Sequence, residues 1–71
     1  MSREEELQQR IKKVVYYLSA DIGTYKTAIY KIRSNRMIDK EEKAKEIKEI
    51  ETDIKYNVHL IDMLMGLKWQ N

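Results

Sequence analysis

Two stretches of this 71-residue chain carry apolar residues at intervals of three and four, and one short segment separates them. In the first stretch the positions are Leu7, Ile11, Val14 or Val15, Leu18, Ile22, Tyr25, Ile29 and Ile32. In the second they are Ala44, Ile47, Ile50, Ile54, Val58, Ile61 and Met65. An α-helix turns once in about 3.6 residues, so this spacing stacks side chains on one face and is incompatible with the two-residue period of a strand. No proline breaks either stretch. The fold class expected is all-α: helices over residues 3–33 and 39–66, a turn over 34–38 and a short tail over 67–71, together a single domain over 1–71.

The helix starts are written in the side chains. Ser2 with Glu5, and Asp39 with Glu42, fit the capping arrangement in which a short polar side chain accepts from a free backbone N–H of the first turn. Asn35 is suited to a left-handed residue closing the first helix, and Gly66 to a stop for the second. Lys31 and Arg33 suit the negative end of the first helix dipole.

A connection of about five residues makes two helices antiparallel neighbours, an αα-hairpin with coiled-coil-like packing. Across such a hairpin the numbers of facing residues have a nearly constant total. A total of about 73 sets Ala44 against Ile29, Ile54 against Leu18, Val58 against Val15 and Met65 against Leu7. On this reading both helices carry two consecutive four-residue steps, 14-18-22 and 50-54-58, a stutter that relaxes supercoiling.

A chain this short encloses a thin core, and small domains compensate with disulfides, metals or oligomers. With no cysteine present, disulfides and thiolate zinc sites are excluded. Self-association is therefore expected, most simply a homodimer forming a four-helix bundle. Tyr16, Ala20, Gly23, Thr27 and Tyr30 mark an uncharged self-association face on the first helix, where small residues admit a close backbone. The ordinary alternative is an amphipathic surface with one tolerated glycine. At the open end of the hairpin, Tyr17, Tyr56, Leu60, Met63, Leu64, Leu67 and Trp69 form a second patch, suited to a dimer contact or to a protein partner.

Catalytic chemistry is poorly provided for. His59 and Asp62 stand at helical spacing, but there is no second histidine and no Glu-x-x-His repeat for a metal centre, and the lone glycines build no phosphate loop. No cofactor and no enzymatic activity are expected. The charged N-terminus and the absence of a long apolar run predict a cytoplasmic protein without a membrane association. Ten lysines to four arginines, with nine isoleucines to three alanines, fit an AT-rich genome such as that of a low-GC bacterium or its phages.

The formal net charge of +2 hides an asymmetry: residues 10–36 carry +6 and residues 39–53 carry −3. Lys12, Lys13, Lys26, Lys31, Arg33 and Arg36, interleaved with tyrosines, are candidate phosphate contacts. In overall plan the chain resembles the Rop family of plasmid copy-control proteins, short helical hairpins that dimerise into four-helix bundles and bind RNA. The resemblance is architectural, rests on no sequence motif and carries over no functional residue. The function expected is that of a small regulatory, inhibitor or adaptor protein acting through protein contacts, with a Rop-like nucleic-acid binder as the alternative.

Overall fold

A computed structural model describes residues 2–68 and shows two α-helices packed against each other, α1 (Arg3–Ser34) and α2 (Lys40–Lys68), with no strand among the described residues. The caps form as their sequences require. The Ser2 hydroxyl accepts from the Glu5 N–H at 3.2 Å and the Asp39 carboxylate from the Glu42 N–H at 2.8 Å. Glu4, Glu5 and Glu6 lie at the positive end of α1, with Lys31 and Arg33 at its negative end.

The turn closes differently from the sequence expectation. Asn35 stays extended at φ −81°, and no described residue has a positive φ. Its N–H donates to the Ile32 carbonyl, and its side-chain oxygen accepts from the Met37 N–H at 2.9 Å, an Asx turn that reverses the chain without a left-handed residue. Gly66 does not stop α2, which continues to Lys68.

Among the described residues, two hydrogen bonds cross the hairpin and set its register. Asn57 Nδ2 donates to the Leu18 carbonyl at 3.4 Å, and Lys43 Nζ donates to the Arg33 carbonyl at 2.9 Å, so facing residues total 75 and 76 rather than about 73. The seam consists of Gln8, Ile11, Val15, Leu18, Ile22, Tyr25, Ile29 and Ile32 on α1, and of Lys43, Ile47, Ile50, Ile54, Asn57, Ile61 and Leu64 on α2. Steps of three and four alternate strictly in both rows, a heptad repeat with no stutter. Leu7, Ala44 and Val58, expected in the core, are exposed, and so is Val14. The physical reason is that a polar residue takes a core position: with Asn57 in the seam, Val58 is turned by about 100° onto a flank.

The seam is nowhere closed over. Ile11, 6% exposed, is the one buried apolar residue among those described, and the remaining apolar seam residues are half-buried. The hairpin is a rod of 54 × 16 × 11 Å with a radius of gyration of 16.5 Å. A compact domain of this length would have about 11 Å.

Candidate interaction surfaces

Register decides which residues share a surface. In each helix the residue preceding a seam position lies on one side of the hairpin and the residue following it on the other. Because the helices are antiparallel, the preceding residues of both share one flank and the following residues share the opposite one. We name these the leading and trailing flanks. The trailing flank is directly visible as a groove of about 440 Å³ near the turn, lined by Lys26, Tyr30, Arg33, Glu51 and Lys55 above the seam residues Ile29 and Ile54.

The face around Gly23 is open. Tyr16, Ala20, Gly23, Thr27 and Tyr30 are all exposed, and a Cβ built on Gly23 would meet nothing within 4 Å. Packing within the hairpin therefore does not explain this glycine. The Thr27 hydroxyl donates to the Gly23 carbonyl at 3.1 Å, satisfied within its own helix. Tyr16 stands edge-on to Tyr17, with ring centroids 5.8 Å apart.

The open-end patch divides. Tyr17, Tyr56 and Met63 are exposed on the leading flank with Leu60 half-buried beside them, whereas Leu64 belongs to the seam. The Leu67 side chain and Trp69 lie outside what the structure describes. Leu7 and Val14 belong to the leading flank, each preceding a seam residue. Sequence reasoning placed Leu7 inside the hairpin and left the seam position at Val14 or Val15 open. The signal that decides it is the choice of Val15 over Val14, which makes the three-and-four alternation unbroken.

The candidate phosphate contacts do not form one track. Lys26 and Arg33 both line the groove, as does Lys55, which the sequence reading did not include. Lys12 lies farther along the same flank, Lys13 faces outward, Lys31 follows the opposite flank and Arg36 sits in the turn. His59 and Asp62 are both exposed, and no group of three metal-ligating side chains occurs among the described residues. No described helix is long and apolar enough to cross a membrane.

No protein-family model, characterised protein or solved structure matches the chain.

Proposed function

We propose that the chain is a self-associating helical hairpin that acts through protein contacts, in a regulatory, inhibitory or adaptor role without catalysis, and that a two-fold dimer completes it into a four-helix bundle. The observation that carries this reading is the surface left uncovered. The chain exposes 6260 Å², whereas a compact monomer of 8.6 kDa exposes about 4,700 Å². The excess, about 1,500 Å² per chain, is more than the roughly 800 Å² that each partner contributes to a standard protein interface. Burial of apolar area is the main stabilising term available to a chain without disulfides, and the half-buried isoleucines of the seam are where that term is incomplete.

Two surfaces can serve: the uncharged face of Tyr16, Ala20, Gly23, Thr27 and Tyr30, and the open half of the leading flank. Sedimentation equilibrium across the micromolar range tests the reading. A mass of twice 8.6 kDa or more, with dissociation and unfolding coupled, is expected. A stable, fully helical monomer throughout that range refutes it.

A second reading, nucleic-acid binding on a Rop-like plan, is favoured by one observation: Lys26, Arg33 and Lys55 gather around Tyr30 in the trailing groove, cations beside a ring on which a base can stack. Its signature is salt. Affinity for an RNA oligonucleotide should fall linearly in log–log form with a slope of about −0.7 per phosphate contacted, whereas apolar self-association does not weaken with salt in that way.

A further inference from the structure

On the trailing flank near the turn, Lys26, Arg33, Lys48 and Lys55 stand against Glu51. The leading flank at the same level carries Asp21, Glu42, Glu46, Glu49 and Asp53 against Lys31. Beyond Asp21 and Asp53, toward the open end, the leading flank has no acid and becomes apolar. Leu7, Val14, Tyr17, Tyr56 and Met63 are between 45% and 63% exposed there, with half-buried Leu60 among them. Arg10, on the same flank between Leu7 and Val14, is exposed and paired with Glu6 of its own helix at 2.9 Å, which offsets its charge there.

Resting on the self-association reading, we infer that the occupant of this open half-flank is the same half-flank of a second copy, brought onto it by a two-fold axis perpendicular to the long axis of the hairpin. Charge selects the orientation. If two hairpins aligned in parallel along the whole flank, the acidic half of one would lie on the acidic half of the other. Full antiparallel overlap would lay acidic halves on apolar ones. Overlap of the open halves alone, which forms the four-helix bundle over those halves, matches apolar with apolar and sends the two acidic halves to opposite ends, about three Debye lengths or more apart at physiological salt.

Area points the same way. At about 100 Å² of exposed surface each, the six side chains present roughly 600 Å² per copy, most of the roughly 800 Å² a standard interface takes from one partner. The Gly23 face has less to bury, because Ala20, Gly23 and Thr27 form its middle. A second copy is favoured over a foreign chain because the need is permanent: with one buried apolar residue among those described, the fold needs cover whenever it exists. The complementary surface is always present at equal concentration.

The test compares Tyr17→Glu, Tyr56→Glu and Met63→Glu with Ala20→Glu on the outer face, all at exposed positions, with helicity checked by circular dichroism. Each leading-flank variant sets two like charges in the interface, once per copy, and should raise the dimer dissociation constant by about 100-fold or more. Ala20→Glu should change it by no more than about 2-fold. Small-angle scattering should give a longest dimension of about 80 Å for hairpins of 54 Å overlapping by their open halves. If Ala20→Glu dissociates the dimer while the three leading-flank variants do not, or if the dimer is no longer than one hairpin, the assignment of this face is wrong although the protein still self-associates. A monomeric wild type overturns both readings.

Discussion

Replacing Asn57 by leucine should stabilise the protein, against the usual direction for a buried substitution. Asn57 is 8% exposed and occupies a seam position flanked by Ile54 and Ile61, where the heptad otherwise places apolar residues. Its amide makes one cross-hairpin bond, 3.4 Å long, to a Leu18 carbonyl that already belongs to the hydrogen-bond ladder of α1. A neutral hydrogen bond contributes about 0.5–1.5 kcal/mol net, and one this long belongs at the lower end of that range. A leucine side chain buried in its place contributes about 1.5–3 kcal/mol. The difference favours Asn57→Leu by about 1 kcal/mol, which corresponds to a rise of about 4–8 °C in melting temperature for a domain of this size. Thermal and urea unfolding followed by circular dichroism measure it. The same substitution should loosen specificity, because a polar residue at a core position penalises every register that leaves it unpaired. Asn57→Leu is therefore expected to melt higher while sedimenting as a mixture of species. A variant that melts several degrees lower than wild type would refute the reasoning, since it would mean that position 57 is held by its hydrogen bond and not by its place in an apolar layer.

Ile11→Ala should cost about 2–5 kcal/mol in thermal unfolding, since it empties the best-buried apolar site among the described residues. Gly23→Ala should stabilise α1 by up to about 1 kcal/mol without altering the dimer, because open space surrounds its Cβ direction; a loss of association on this change would return Gly23 to the interface. Asp39→Ala removes the acceptor for the Glu42 N–H and should cost about 1 kcal/mol in thermal unfolding, with Asp39→Asn or Asp39→Ser recovering most of it.

What the sequence made legible is the part governed by local rules. Ser2 and Asp39 cap where they should because a short acceptor ahead of a helix satisfies an N–H that has no other partner, whatever the helix later packs against. The periodicity of isoleucines likewise fixes a hairpin, since Ile11, Ile22, Ile29, Ile47, Ile50, Ile54 and Ile61 all lie on the seam. The register was not legible, and the reason lies in two neighbouring pairs. Val14 and Val15 are equally apolar, and Asn57 beside Val58 invites the assumption that the valine points inward. Choosing Val14 and Val58 produces a stutter in each helix, and two stutters that match look like confirmation. The match arises because the isoleucines stay on one face of each helix, so the arithmetic of facing numbers remains consistent when the pairing slides along the seam, Leu18 meeting Asn57 in place of Ile54, and the total changes by two or three.

That small shift carries the functional consequence. Read with a total of 73, Leu7 and Val58 fill the core and the open end is an undivided sticky patch. With Asn57 bonded to Leu18 and Lys43 bonded to the Arg33 carbonyl, these residues leave the seam for the flanks, and the patch resolves into two sides of different chemistry. Val58 and Tyr16 go to the flank whose turn half carries Lys26, Arg33 and Lys55. Leu7 and Val14 go to the flank whose turn half carries Asp21, Glu46, Glu49 and Asp53. A hairpin with an apolar seam residue at position 57 could slide to the other register at little cost and exchange these surfaces. The buried amide makes that slide unfavourable, since it would strand Asn57 Nδ2 away from its carbonyl. Asn57, the one buried polar residue among those described, thus governs which side chains a partner meets, and the stability it forgoes is spent on keeping one pair of flanks instead of two.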